Sequence, residues 1–148
     1  MLGLILAQII TILDSFLKEW AEKNLSGKGR KEIGNTGFSL ELTHNYGFAG
    51  NGLEEKPGLV KVLHSIVLAV LFLYGMLFVF FEKGKTISSI GLGFLLGGGM
   101  SNFYDRLKRG YVVDYLGLPK IKKLLFNISD LFVFLGTGIL ALGELLGK

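Results

Sequence analysis

Val62-Leu63-His64-Ser65-Ile66-Val67-Leu68-Ala69-Val70-Leu71-Phe72-Leu73-Tyr74-Gly75-Met76-Leu77-Phe78-Val79-Phe80-Phe81 is the stretch on which the fold turns. Fourteen of these 20 residues are Leu, Ile, Val or Phe, and each favours insertion by ~0.3–0.6 kcal/mol near the centre of a membrane helix. About 20 helical residues cross the ~30 Å of hydrocarbon in a bilayer. The stretch reads as a membrane span.

Working outward, residues 86–104 form a second apolar run rich in glycine, in which Gly93-Phe94-Leu95-Leu96-Gly97 is a G-x-x-x-G that lets another backbone approach closely. An inner, packed helix is expected there. Residues 124–143 have the length of a further span, and residues 2–20 another, although Asp14 ends the uncharged part of the latter at Leu13. This first run lacks a basic leading segment and an A-x-A-like site, so it reads as a retained span. The expected architecture is one membrane domain over residues 1–148, all-α in its membrane part, with four spans and a small β element. An even number of spans leaves both termini on one side.

The loops carry the rest. Residues 21–60 are too polar for hydrocarbon, and within them Phe38-Ser39-Leu40-Glu41-Leu42-Thr43 alternates with the period of a half-buried strand before the turn residues Asn45-Tyr46-Gly47. Residues 105–123 hold a second strand candidate, Tyr111-Val112-Val113-Asp114-Tyr115, between Gly110 and Gly117. The linker from Glu82 to Lys85 is too short for a site.

Composition restricts the chemistry. Half of the 148 residues are hydrophobic, 22 are glycine and none is cysteine, which excludes thiolate catalysis, disulfides and Cys-based metal sites. The net charge of +4 sits between apolar runs, where anionic phospholipid headgroups are the expected partner and nucleic acid is not. His44 and His64 stand singly, without the partner motif of a zinc site or a Ser-His pair.

Charged side chains inside membrane helices cost roughly 2.5–3.5 kcal/mol at the centre and are functional candidates by default. Asp14 and Lys18 are four apart on the first span and can pair; a structural ion pair is the plain alternative. Asn102, Asp105 and Arg106 converge on one face at the end of the third span. Arg106 offers a fork of donors to a carboxylate or a carbonyl, with Asp105 placed to orient it; a helix-terminal cap is the plain alternative. Asn127 and Asp130 share a face where the fourth span begins, and Asp130 also suits the positive end of a helix dipole. Asp114 lies in a strand of Val, Tyr and Leu, where a carboxylate brings no packing benefit. Two carboxylates at an apolar boundary cannot both ionise easily, so one keeps a proton and the other acts as base towards water. Whether Asp114 and Asp130 meet is not decided by spacing.

Taken in order, Asp14-x-x-x-Lys18, Asn45-Tyr46-Gly47-Phe48-Ala49, Gly98-Gly99-Met100-Ser101-Asn102-Phe103-Tyr104-Asp105-Arg106, Gly110-Tyr111-Val112-Val113-Asp114-Tyr115 and Phe126-Asn127-Ile128-Ser129-Asp130 resemble the successive motifs of the lipoprotein signal peptidase (signal peptidase II) family. The resemblance covers residues 10 to 136. It implies four membrane helices with an extracytoplasmic β-cradle, in the cytoplasmic membrane of a bacterium, and an aspartyl endopeptidase that cuts diacylglyceryl-modified prolipoproteins before the lipidated cysteine. It implies no metal and no cofactor. A small monomer is the default expectation, with Gly93 and Gly97 packing against a neighbouring chain as the alternative. Asp114 and Asp130 become the catalytic pair; Asn45, Gly47, Asn102, Arg106 and Asn127 line or brace the site, with Asp14, Lys18 and Asp105 in support. Ser15 and Gly50 depart from the family's Gln and Phe, and the segment between Asp114 and Asn127 is short and basic, with Lys120, Lys122 and Lys123. These departures bear on substrate range, and motivate a divergent relative that binds lipidated peptide without cutting it as the alternative. An ion or proton pathway through Asp14, Lys18, Asp105 and Asp130 is a third class, disfavoured because the motif residues extend into loops. Counted from Lys18 to Pro57 the first long loop holds six Lys or Arg, and residues 105–123 hold another six, which by the positive-inside rule would be cytoplasmic; the resemblance places them outside, with both termini in the cytoplasm.

Overall fold

The computed structural model describes residues 2–47, 52–81, 85–118 and 121–147, with the side chains of 79–81 and 121–123 outside the description. Four helices, α1 (Leu2–Leu25), α2 (Pro57–Phe81), α3 (Thr86–Lys108) and α4 (Ile128–Leu146), carry one antiparallel sheet of β1 (Lys31–Glu32), β2 (Ser39–Asn45), β3 (Val112–Leu118) and β4 (Ile121–Phe126) in the order β1-β2-β3-β4. The helices overrun the expected spans at several ends: α1 continues to Leu25, α2 begins at Pro57 and α3 continues to Lys108. The fourth starts later than residue 124, because Leu124 to Phe126 pair with β3 and Asn127 caps the helix that follows. Within the described residues α2 over Pro57–Phe78 and α4 over Ile128–Leu146 are long and apolar enough to cross a membrane.

Helix α3 is central, and its glycines are the reason. A Cβ on Gly93 would sit 2.4 Å from the Gly3 carbonyl oxygen, and one on Gly97 would sit 2.9 Å from Ala7, so one glycine face of α3 receives α1. On another face Gly91 lies against the backbone of Leu140, and Gly98 against that of Ser129, so α4 approaches as closely. Side chains cannot occupy either seam, and backbones within contact gain dispersion and interhelical hydrogen bonds, such as Thr11 Oγ1 to the Gly97 carbonyl at 3.0 Å. The G-x-x-x-G is thus satisfied inside the chain. Ile5, Ile9, Phe16, Val67, Val70, Phe134 and Leu145 are among many large apolar residues turned outward, an arrangement suited to lipid and not to water.

The sheet is fixed to the end of the bundle by alternation. Val113 and Tyr115 of β3 point to one face and pack with Ala21 and Leu25 of α1, so Asp114 between them must point to the other. Strand β2 pairs with β3 through Thr43 opposite Asp114 and Asn45 opposite Val112. The turn from α3 into β3 passes through Gly110 at φ 86°, a conformation that glycine adopts without steric cost.

Candidate active site

Asn127 is the hinge of the site. As N-cap of α4 its side-chain oxygen accepts from the Asp130 backbone N–H at 3.0 Å, and Asp130 Oδ2 returns the bond by accepting from the Asn127 N–H at 3.1 Å. This reciprocal capping box satisfies two helix-end donors and locks the Asp130 carboxyl in place. The Asn127 amide then donates to Asp114 Oδ1 at 2.8 Å, so one fully buried side chain holds both aspartates.

Each carboxyl has a second amide. Asn45 Nδ2 donates to Asp114 Oδ2 at 3.1 Å, and Asn102 Nδ2 to Asp130 Oδ1 at 2.8 Å. Asn45 also accepts from the Gly47 N–H at 3.0 Å, which shapes the turn after β2. Burial first, and then the charge of Asp130, push the Asp114 carboxyl from its ordinary value of 3.8 up to about 7, against the two amide bonds that favour its ionised form. A carboxyl so placed holds a proton near neutrality beside a second carboxylate.

Beneath the pair lies a buried polar network. Lys18 Nζ contacts Asp14 at 2.8 Å, Asp105 at 3.3 Å and Asn102 Oδ1 at 2.8 Å, so the lysine orients the same amide that holds Asp130. Asp14 additionally accepts from Ser101 Oγ at 2.6 Å, Ser129 Oγ at 2.5 Å and the Tyr115 hydroxyl at 3.1 Å. Asp105 does not orient Arg106 by hydrogen bonding. It pairs with Arg109 at 3.0 Å and accepts from the Val113 N–H at 3.1 Å, which fixes the strand one residue before Asp114. Arg106 donates instead to the carbonyls of Gly47 and Asn102, tying the turn after β2 to α3.

Asp14, Lys18, Asn45, Gly47, Asn102, Asp105, Arg106, Asp114, Asn127 and Asp130 therefore join one cluster. Ser101, Ser129 and Tyr115 were not singled out, although each adjoins in sequence a residue that was. The signal for them is a rule of satisfaction: a buried Asp14 needs donors, and hydroxyls are what the neighbouring helices offer. Ser15 donates to the Thr11 carbonyl at 2.7 Å on its own helix, away from this network. Gly50, Phe48, Ala49 and Lys120 lie outside the described residues, as do the side chains of Lys122 and Lys123. Among the described residues no group of His, Asp and Glu is arranged to hold a metal ion.

The fold is that of a bacterial membrane enzyme. Two solved structures so described superpose with TM-scores of 0.77 and 0.76, at 21% and 22% identity, over 97% of this chain and 87% and 92% of theirs. The family model for Signal peptidase (SPase) II matches residues 6–146. Proteins named lipoprotein signal peptidase are similar along most of their length: 33% identical over 136 residues in Streptococcus agalactiae, covering 89% of this chain and 86% of that protein, and 28% over 142 residues in Clostridioides difficile, covering 96% and 93%. The chain belongs to the signal peptidase II family, whose members are peptidases of lipoprotein processing.

Proposed function

We propose that the protein is a membrane-embedded aspartyl endopeptidase that removes the signal peptide from diacylglyceryl-modified prolipoproteins, cutting before the lipidated cysteine. The observation that carries this reading is the bridge through Asn127, which holds Asp114 and Asp130 together at the junction of sheet and helices.

The chemistry follows from the two environments. Asp114 keeps its proton to about 7, so it serves as the acid, and Asp130 as the base towards a water held between them. Asp130 takes a proton from that water as its oxygen attacks the scissile carbonyl, while Asp114 donates to the developing oxyanion. Collapse of the tetrahedral species then breaks the C–N bond, with a proton passing to the leaving amine. Asn45, Asn102 and Asn127 keep the carboxyl planes fixed, so little reorganisation is needed during the reaction.

All four helices are spans of one membrane domain in this reading. Helices α1 and α3 carry their polar groups inward to the network, and the outward apolar faces meet lipid. The sheet and candidate site lie on the extracytoplasmic side of a bacterial cytoplasmic membrane, where signal peptides emerge, and both termini are cytoplasmic. Between Lys18 and Pro57 six acidic residues offset the six basic ones, which weakens the positive-inside argument for the opposite orientation. The glycine seams are occupied by α1 and α4 of the same chain, which supports a monomer. The test is cleavage of a diacylglyceryl-modified precursor by the purified chain in detergent, read by gel shift, with phospholipid supplied; an unmodified precursor left uncut would establish the need for the lipid.

A further inference from the structure

Tyr115 buries a hydroxyl that the foregoing chemistry leaves unused. The residue follows Asp114 in β3, and its ring packs with Val113 against Ala21 and Leu25 of α1. Phe would fill that apolar face equally well, so packing does not require the oxygen. The hydroxyl donates to Asp14 Oδ1 at 3.1 Å and accepts from the Ile128 N–H at 3.4 Å. Ile128 is the first residue of α4, where a backbone N–H has no partner within its own helix. Burial, and then the Asp14 carboxylate, push the hydroxyl well above its ordinary value of 10.0, so it stays a donor throughout the neutral range.

Successive residues of a strand point to opposite faces, so β3 is tied to the start of α4 on both of its faces. On one face Asn127 donates to Asp114 at 2.8 Å; on the other Tyr115 joins Ile128 to Asp14. Asp14 also accepts from Ser129 Oγ at 2.5 Å. The residue after Asp114 and the residue before Asp130 thus meet on a single carboxylate, which Lys18 holds at 2.8 Å from the next turn of α1. A strand tied on one face alone is free to roll about its axis, and that roll would swing Asp114 away from Asp130. The tie through Tyr115 opposes it.

We infer that Tyr115 is a positioning residue, whose hydroxyl, anchored on Asp14, holds β3 against the first turn of α4 and so sets the separation of Asp114 from Asp130. The inference rests on the peptidase reading for what the pair does. Tyr115→Phe removes the oxygen and keeps the ring packing. Tyr111→Phe is the control, since it also deletes a hydroxyl bonded to a carboxylate, that of Glu22 at 3.2 Å, but one that does not touch the network of the pair. The full chain in detergent is assayed for cleavage of a diacylglyceryl-modified precursor across the neutral pH range, with a melting curve for each variant at each pH. In Tyr115→Phe kcat should fall about tenfold, the equivalent of ~1.4 kcal/mol, with KM held within about threefold. The charge of Asp130 helps to raise the Asp114 carboxyl to about 7, so an Asp114 free to withdraw titrates lower, and the alkaline limb of cleavage should move down by roughly half a pH unit. Tyr111→Phe should leave kcat and the limb in place. A Tyr115→Phe protein whose kcat or alkaline limb matches that of the unmodified chain, or equal changes in Tyr111→Phe, overturns the inference. Should the unmodified chain cut nothing, the peptidase reading fails and the melting curves decide the positioning role. An Asp114 carboxyl closer to its ordinary value makes Tm fall less steeply with rising pH in Tyr115→Phe than in the unmodified chain; equal slopes overturn the role.

Discussion

Asp114→Asn is expected to make the protein more heat-stable as pH rises, although it removes a group central to the proposed chemistry. The folded carboxyl holds its proton to about 7 because it is buried beside Asp130, against 3.8 for the group in its ordinary surroundings. A carboxyl raised in this way favours the folded state when protonated, so its contribution falls as pH climbs from 3.8 to about 7. Each pH unit in that window costs about 1.4 kcal/mol, so the unmodified protein loses about 3 kcal/mol between pH 5 and pH 8, where Asn, which cannot ionise, loses none of it. The isosteric amide also mispairs with one of its two asparagine neighbours, but that penalty does not vary with pH and cancels when slopes are compared. At roughly 2–4 °C per kcal/mol for a chain of this size, the Tm of the two proteins should diverge by roughly 5–10 °C over that range. Thermal unfolding in detergent from pH 5 to pH 8, followed by tryptophan fluorescence, reads the divergence. Parallel curves, or an Asn variant that loses ground as pH rises, would refute the claim that Asp114 is buried against its own ionisation.

Asn127→Ser keeps an N-cap oxygen but cannot reach Asp114, so Tm should change by a few degrees at most, while loss of a bond that favours the ionised carboxyl moves the alkaline limb of cleavage up by roughly one pH unit. Lys18→Met strands Asp14 and Asp105 in a buried site and should cost ~3–5 kcal/mol, seen as a large fall in Tm or in the yield of folded protein in detergent. Gly93→Leu should separate α1 from α3 and prevent recovery of a monodisperse protein, because its Cβ meets the Gly3 backbone at 2.4 Å. Gly138→Ala, whose Cβ meets nothing within 4 Å, should by contrast hold or raise Tm.

The helices were legible because apolar length and glycine spacing are local signals. Residues 62–81 announce α2 by composition alone, and Gly93 and Gly97 announce the face that α1 fills. Strand β2 showed through alternation and β3 as a short run bounded by Gly110 and Gly117, whereas β1 has two residues and β4 overlaps the apolar run of the fourth helix, so neither leaves a periodic trace. The aspartates and their asparagines were found by asking why polar groups stand in apolar surroundings, and by order of motifs. That they meet was not readable: Asp114 and Asp130 converge only because Asn127 serves at once as helix cap and bridge, a double duty that spacing does not encode. Asp105 has more partners than its place beside Arg106 suggests, for a related reason. Its neighbour in sequence was Arg106, but the helix turns its carboxyl to Lys18, one full turn on to Arg109, and to the strand beyond.

The central claim is that the aspartate pair cuts peptide, and the most direct test is a gel-shift cleavage assay on a diacylglyceryl-modified precursor with the unmodified chain, Asp114→Asn and Asp130→Asn, each shown to be folded by its melting curve. Cleavage by the unmodified chain and none by either folded variant is the predicted result. Cleavage that survives in either variant, or an unmodified chain that leaves intact a precursor cut by a control peptidase, would contradict it.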